Sequence, residues 1–415
     1  MKANVSLREL NGMLKAATAF ADKYGIVDGR IAFAVHDGKF EVLALSCDGP
    51  MAELHQWVDA KSAYNDDFEC IGPVEEGACT VKIKDLPRLK NTSGDYVVFF
   101  DAQKDTLTIT VGDYKFHMNA SNMAYDGYVC ACPKGDSETV LPFSPQDSAA
   151  LGFVAPAMAP SEFSREEFMG VRIQDGRAIA TDGHRLHLCP LTTPDAVFIG
   201  TLSAKLANFL AGRLLFPGTL TEYRESREIR VPKGRGKFNT GTETIATWHV
   251  YEHESRGGVH IRLVSRPVKG GFPDFTRVLP NYRSGEVADI DTEQWTSVIK
   301  QLSTGWKNSN VLISNKPADR AVDKCVELKC QRLPGEKEKE KEKENAEPPR
   351  IKTIPMGHIP NLPVCLNSRY VLDALKNCKN SVATFCCIDM DSPVWIGEWS
   401  PLKFGRGAII MPMQL

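Results

Sequence analysis

Two side chains in one short run could do chemistry. Ala180-Thr181-Asp182-Gly183-His184-Arg185-Leu186 follows a strand-like segment and sets a carboxylate close to an imidazole. Such a couple can act as acid and base, or supply half of a metal site. The same residues also read as a tight turn, with Gly183 providing a positive φ and Asp182 capping backbone amides. No nucleophile and no second His at ligand spacing accompany them, which favours the turn. His187 is near, but strand alternation sends it to the face opposite Leu186 and Leu188.

The twelve cysteines offer little more. Cys130 and Cys132 flank a single residue, Cys386 and Cys387 are adjacent, and Cys325 and Cys330 are four residues apart. Without paired CxxC clusters a structural zinc site is not expected, and reduced cysteines serving as small core residues are. Neither metal nor cofactor is called for. No apolar run is long enough to cross a bilayer, and the start lacks a signal-peptide pattern, so a cytoplasmic location is expected.

A length of 415 residues predicts two to four domains, and 42% hydrophobic with 25% charged residues is ordinary for a globular chain. The net charge of −2 argues against a protein that grips DNA through many phosphates. It is compatible with one that surrounds DNA and slides, where a locally positive inner face suffices.

The elements that must position these residues come in repeats. Ser6 with Glu9, Ser144 with Asp147 and Asp291 with Gln294 are capping boxes, each opening a helical stripe. The stripes are Leu10, Met13, Leu14 and Ala17; Leu151, Val154 and Met158; and Trp295, Val298, Ile299 and Leu302. Pro145 suits the first position of the second helix. Asp37-Gly38 and Asp175-Gly176 sit between alternating runs and predict hairpins. Second helices are expected at Lys82 to Lys90, Ser203 to Arg213 and Asn367 to Cys378. Order and spacing together predict three α+β domains of one design. The alternating run from Glu336 to Glu344 cannot bury a face and reads as a solvated insertion between two strands.

Four runs carry a resemblance. The Ala180–Leu186 run, Phe272-Pro273-Asp274-Phe275-Thr276-Arg277-Val278-Leu279-Pro280, the helix start Asn367-Ser368-Arg369-Tyr370-Val371-Leu372-Asp373-Ala374-Leu375 and the ending Met411-Pro412-Met413-Gln414-Leu415 occur in the order seen in the bacterial DNA polymerase III beta sliding clamp family, which this chain resembles. The likeness is strong from about Ser144 onward and weaker over the first domain, where the family pattern near Asp48 is not matched.

The resemblance implies three clamp domains, 1–135, 136–275 and 276–415, the last with a Glu/Lys-rich insertion at 333–350. It implies helices lining a central hole, antiparallel sheets outside, and two chains closing head to tail into a dimeric ring. The implied function is non-catalytic: encircling duplex DNA without regard to sequence and giving a replicative polymerase its processivity. Polymerase, clamp loader and repair proteins would dock through short apolar peptides. Two rivals remain, a clamp-like scaffold that does not close on DNA and a hydrolase using Asp182 and His184.

Carried over by motif, the peptide pocket comprises Phe168, Thr181, Gly183, His184, Arg185, Leu186, Pro273, Arg277, Val278, Asn367, Tyr370, Val394, Ile409, Met411, Pro412 and Met413. Its apolar members would hold anchor side chains, while His184, Arg185, Arg277 and Asn367 orient polar groups. Gln414 stands where the family often has Arg, and Glu166 and Glu167 stand where it often has aromatics. DNA-facing cations would be Arg8, Lys15, Lys23, Lys82, Lys84, Arg88, Lys90, Lys205, Arg213, Lys300, Lys307, Arg369, Lys376 and Lys379, contacting phosphates alone. Phe116 and Met118 on an edge strand, opposite Leu302, would join the two chains.

Overall fold

All three capping boxes start helices in the computed structural model. At α1 (Leu7–Phe20) the Ser6 side chain accepts from the Glu9 amide. At α2 (Pro145–Val154) the box is reciprocal: Ser144 Oγ accepts the Asp147 amide at 3.2 Å, and Asp147 Oδ2 accepts the Ser144 amide at 2.8 Å. At α4 (Thr292–Ser303) Asp291 accepts the Gln294 amide at 2.7 Å. Two more helices begin on side-chain caps: α3 (Ala204–Leu210) on Ser203 and α5 (Ser368–Leu375) on Asn367.

The hairpins form where expected. Asp37 and Gly38 have φ of 48° and 71°, and Asp175 and Gly176 have 51° and 66°. Two consecutive positive φ values are the signature of a type I′ turn, and the flanking residues pair as His36↔Lys39 and Gln174↔Arg177.

The structure describes residues 1–21, 30–46, 52–59, 63–64, 70–72, 74–87, 97–103, 105–111, 113–122, 137–160, 165–193, 200–211, 217–234, 237–255, 258–279, 287–306, 308–316, 325–333, 348–355, 362–376, 378, 381–400 and 403–413. The chain divides into two compact units, 1–148 with 202–268 and 149–201 with 269–415.

In the first unit one antiparallel sheet runs Lys2–Ser6, Val97–Gln103, Thr106–Val111, Tyr114–Asn122, Gly77–Lys82, Arg30–His36, Lys39–Ser46, Ala52–Asp59, His260–Ser265, Lys237–Glu254, Gly218–Gly234, Ser137–Phe143. Helix α1 lays Leu7, Leu10, Met13, Leu14, Ala17 and Phe20 against it. Gln56 crosses beneath the helix and donates to the Met13 carbonyl at 3.0 Å. Phe33, Phe40 and Phe100 cluster in the same core.

In the second unit α4 and α5 share a core in which Trp295, Val298, Ile299 and Leu302 meet Val371, Ala374 and Leu375. One sheet beneath them runs Arg350–Pro355, Cys325–Arg332, Ser309–Lys316, Val364–Asn367. Another runs Gly170–Gln174, Arg177–Thr181, Arg185–Pro190, Lys403–Ile410, Val394–Ser400, Val382–Cys386, Val287–Asp291. Cys330, Cys365, Cys386 and Cys387 are buried among these strands as small apolar residues. Among the described residues no helix is long and apolar enough to cross a membrane.

Some expectations need correction. The helix predicted from Lys82 to Lys90 is, over its described part, the end of a strand at Lys82 and one 3-10 turn, Ile83–Asp85. Pro87 explains the difference, because it pushes the preceding residue out of helical space; Leu86 has φ −67° and ψ 131°. The second and third second-helices are shorter than predicted, ending at Leu210 and Leu375. Arg88, Leu89 and Lys90, like the Glu336–Glu344 run, lie outside the described residues. The strands that bracket that run, Cys325–Arg332 and Arg350–Pro355, do pair with each other.

His187 sits in the second unit's core, fully buried, its ring stacked 5.0 Å from Phe153 and Nδ1 donating to the Phe153 carbonyl at 3.0 Å. Burial lowers its pKa from 6.5 to about 4, against the opposing pull of that carbonyl. Between those values the unfolded chain takes up a proton that the folded chain refuses. Stability is therefore full above pH 6.5 and falls as the pH drops toward 4. Denaturant unfolding at neutral and acid pH should show His187 contributing a loss on the order of 3 kcal/mol. His187→Gln should flatten that part of the wild-type profile; an unchanged profile would refute the assignment.

Candidate peptide-binding site

The Thr181–Leu186 run is a turn built by its own side chains. Asp182 Oδ1 accepts the amides of His184 and Arg185, both at 3.0 Å. Thr181 Oγ1 donates to the Arg185 carbonyl at 2.7 Å and accepts the Gly183 amide at 3.1 Å. Gly183 has φ 89°, and a Cβ there would meet Phe168 Cε2 at 3.6 Å, so Phe168 lies against the turn. With Asp182 engaged in this way and His184 exposed, the acid/base reading has no support in the geometry.

Arg185 is the hub. Its side chain is only 5% exposed. Nε meets Asp182 Oδ2 at 3.0 Å, Nη1 meets Asp373 Oδ2 at 2.6 Å, and Nη2 donates to the Pro156 carbonyl. The guanidinium also lies 4.2 Å from the centre of the Tyr370 ring. Two separate segments, α5 and the stretch around Pro156, are thus tied to this turn. The Tyr370 hydroxyl is pushed up from its ordinary pKa, first by burial and then by the Asp182 carboxylate. Asn367 serves as the cap of α5, accepting the Arg369 and Tyr370 amides at 3.0 and 3.4 Å.

The last strand lies beside this turn. Lys403–Ile410 pairs with Arg185–Leu188 on one side and with Val394–Ser400 on the other. Its register sets Leu186, Ile409 and Trp395 on one sheet face, and Arg185, Ile410 and Val394 on the other. Phe275 is buried on the first face, with Phe272 and Leu279 packed at the edge of the same cluster. Gly407 leaves room for the Trp395 indole, which any Cβ there would strike. Beyond the strand, the Met411 amide donates to the His184 carbonyl at 3.0 Å and the Met413 amide to the Cys365 carbonyl at 2.8 Å.

The sixteen residues that the resemblance implies for a pocket differ in burial. Thr181, Arg185, Leu186, Val394 and Ile409 are buried, and Phe168, Asn367, Tyr370, Pro412 and Met413 are half-buried. Gly183, His184, Pro273, Arg277, Val278 and Met411 are exposed, the two apolar side chains Val278 and Met411 at 37% and 38%. Asp274 caps the Phe275–Val278 turn through the Thr276 amide at 3.1 Å and holds Arg277 at 3.2 Å. Thr276 lowers the Asp274 pKa through its side-chain hydrogen bond. Asp373 and Pro156 were not among the sequence-derived residues; Asp373 had a signal in its place on the polar side of the α5 stripe, whereas a backbone carbonyl leaves none.

The predicted DNA-facing cations spread over several elements. Arg8 and Lys15 are exposed on α1, Lys300 on α4, Arg369 on α5, and Lys376 at its end. Lys84 is exposed on the 3-10 turn, while Lys82 is half-buried on a strand rather than a helix. Lys205 on α3 is half-buried, 5.9 Å from the Phe20 ring centre. Lys23, Arg88, Lys90, Arg213, Lys307 and Lys379 lie outside the described residues. Of the contact residues, Phe116 is half-buried, but Met118 and Leu302 are 6% and 7% exposed and pack inward. Leu302 faces the α4 core because its stripe with Trp295, Val298 and Ile299 is the helix's apolar side.

Antiparallel sheets with side-chain-capped helices packed against them are an arrangement this chain shares with solved structures. The DNA polymerase III subunit beta from Pseudomonas aeruginosa matches with a TM-score of 0.70 and 18% identity, over 100% of both chains. The Helicobacter pylori beta clamp in complex with 3,4-difluorobenzamide matches at 0.69 and 16%, again over 100% of both. The sliding clamp from Bartonella birtlesii bound to griselimycin matches at 0.68 and 16%, with the same coverage. The chain has the fold of bacterial DNA polymerase III beta clamps. No family model matches it. In sequence, the Caulobacter vibrioides (strain NA1000 / CB15N) beta sliding clamp is 22% identical over 242 residues, 58% of this chain and 54% of that protein. The sequence match thus spans about half the length of that curated relative.

Removing the hub should be costly. Arg185→Met leaves Asp182 and Asp373 without their shared cation and should destabilise the chain by about 3 kcal/mol in urea unfolding. Arg185→Lys should recover little of this, because an ammonium lacks the planar fork that reaches three acceptors at once. Wild-type stability in Arg185→Met would show that the network carries no load.

Proposed function

We propose that this chain is a DNA sliding clamp, a non-catalytic ring subunit that encircles duplex DNA and tethers a replicative polymerase, its loader and repair proteins through short apolar peptides. The observation that carries the reading is the full-length likeness of the fold to bacterial clamps. It is supported by exposed apolar side chains near the end of the last described strand. The exposed Val278 and Met411 side chains sit on segments anchored by Phe275 and by the Met411–His184 hydrogen bond, so an anchor side chain would meet a stiff apolar surface.

Three domains bounded at about 1–135, 136–275 and 276–415 fit this reading. Two strands offer the edges that a head-to-tail dimer needs. Among the described residues, Tyr114–Asn119 pairs only with Thr106–Val111, and Arg350–Pro355 only with Cys325–Arg332. Each is, among the described residues, paired with a strand on one side, and each shows a large exposed apolar side chain, Tyr114 at 73% and Ile351 at 52%. Joining such edges between copies would satisfy both, with Phe116 beside the seam and Met118 and Leu302 behind it. Arg8, Lys15, Lys205, Lys300, Arg369 and Lys376 would then meet phosphates without reading bases.

Light scattering should give a particle of about twice 45.9 kDa. A monomer would turn the reading toward a peptide-binding scaffold that does not close on DNA. For the pocket, Val278→Asp and Met411→Ala should each weaken binding of an apolar clamp-binding peptide at least tenfold, about 1.4 kcal/mol, while the particle mass stays the same. Removing Met411 through Leu415 should abolish it. Unchanged peptide affinity in Val278→Asp and Met411→Ala would rule this pocket out.

A further inference from the structure

The turn between Arg30–His36 and Lys39–Ser46 in the first unit carries a cluster of side chains that the peptide site does not use. His36 ends the first of these strands, and Asp37 opens the type I′ turn with φ 48°. The neighbouring strand Gly77–Lys82 pairs with Arg30–His36 in a register that ends at Val35↔Gly77, so Glu76 comes next, level with His36. Directly opposed residues of an antiparallel pair project to one face of the sheet. An imidazole and two carboxylates converge as a result. The ligand atoms of His36, Asp37 and Glu76 all lie within 4.8 Å of one another, and among the described residues this is the one such group of three.

Distance and charge agree. His36 Nε2 lies 3.4 Å from Asp37 Oδ2. Two ligand atoms on a tetrahedral ion with bonds of about 2.0–2.1 Å stand roughly 3.3–3.4 Å apart. Glu76 is already oriented over the turn, its Oε1 accepting the Asp37 amide at 3.3 Å. Neither Asp37 nor Glu76 is paired with a Lys or Arg among the described residues, whereas the adjacent Glu75 is neutralised by Lys2 at 2.8 Å. Two exposed carboxylates so close together repel each other, and a cation between them removes that repulsion.

We propose that His36, Asp37 and Glu76 bind a divalent transition-metal ion of the zinc class. The imidazole decides the class. Calcium and magnesium favour oxygen ligands alone, whereas zinc takes nitrogen and oxygen together. Three protein ligands leave a further position to solvent, which makes the ion exchangeable. Once bound, it ties the hairpin turn to a residue 39 positions further along the chain, at the start of the adjoining strand. The site shares no residue with the peptide pocket and does not depend on the clamp reading.

The test uses the full chain, stripped with EDTA and kept reduced, with zinc chloride as the probe. Calorimetry should show a zinc ion held by the wild type and lost, or bound about tenfold more weakly, in His36→Ala and in Glu76→Gln. Cobalt(II) in place of zinc should give the wild type the visible bands of a four-coordinate ion, which both variants lack. Zinc should also raise the unfolding midpoint of the wild type more than that of either variant. Glu75→Gln removes the same charge one residue away and should titrate like the wild type. None of these side chains is buried, so circular dichroism of the metal-free variants should match the wild type. Equal zinc affinity and stoichiometry in the wild type, His36→Ala and Glu76→Gln would overturn the proposal. So would an equal loss in Glu75→Gln, which marks general charge attraction. Displacement of zinc by magnesium at the same concentration would overturn it too, since that marks carboxylates acting without the imidazole.

Discussion

The pairing of Arg185–Leu188 with Gly407–Ile410 sets the geometry of everything near the site. It joins two segments more than two hundred residues apart in sequence and gives the final strand a neighbour on each side. Because side chains alternate, a slip of one residue would exchange the Leu186/Trp395/Ile409 face with the Arg185/Val394/Ile410 face. The buried clusters on both faces resist that slip: Phe275 packs on one, Val371 and Ala374 on the other. Held in this register, the chain can leave the sheet at Met411 in only one place. A comparable joint in the first unit pairs Ala52–Asp59 with His260–Ser265. Both joints absorb strand edges that would otherwise invite association with other chains.

Around that strand the charges work as ties rather than as ligands. A guanidinium removed from water costs several kcal/mol unless its donors are met, and at Arg185 two carboxylates and a carbonyl meet them. Pairing of that kind adds little net stability over an apolar core, but it demands one arrangement of the turn, of α5 and of the Ala155–Ala157 segment. If these exposed residues bind the peptide proposed above, they would need no ordering of their own when it arrives. A surface already fixed loses less entropy on binding, so a small apolar area can suffice.

Local chemistry made much of this legible in the sequence, and distance hid the rest. Capping boxes at Ser6, Ser144 and Asp291 and the turns at Asp37-Gly38 and Asp175-Gly176 are decided within four residues, and all formed where the sequence placed them. The helix expected after Lys82 failed for an equally local reason, the proline at 87, whose restriction of Leu86 outweighs helical periodicity. Arg185 was legible as a site residue but not as a hub, because Asp373 lies 188 residues away and Pro156 contributes only a backbone carbonyl. Leu302 belonged to an apolar stripe from the start, and a stripe residue goes to the nearest core before it goes to a partner.

Near-neutral net charge bears on how such a molecule could hold DNA. Each phosphate contact steepens the dependence on salt and deepens the well in which the protein rests. A clamp that moves needs many shallow wells rather than a few deep ones. The exposed cations Arg8, Lys15, Lys300 and Arg369 lie on helices whose opposite sides are buried, at long side chains in solvent where each contributes little alone. Retention by topology would tolerate that weakness, since leaving the duplex requires opening a ring and not breaking contacts.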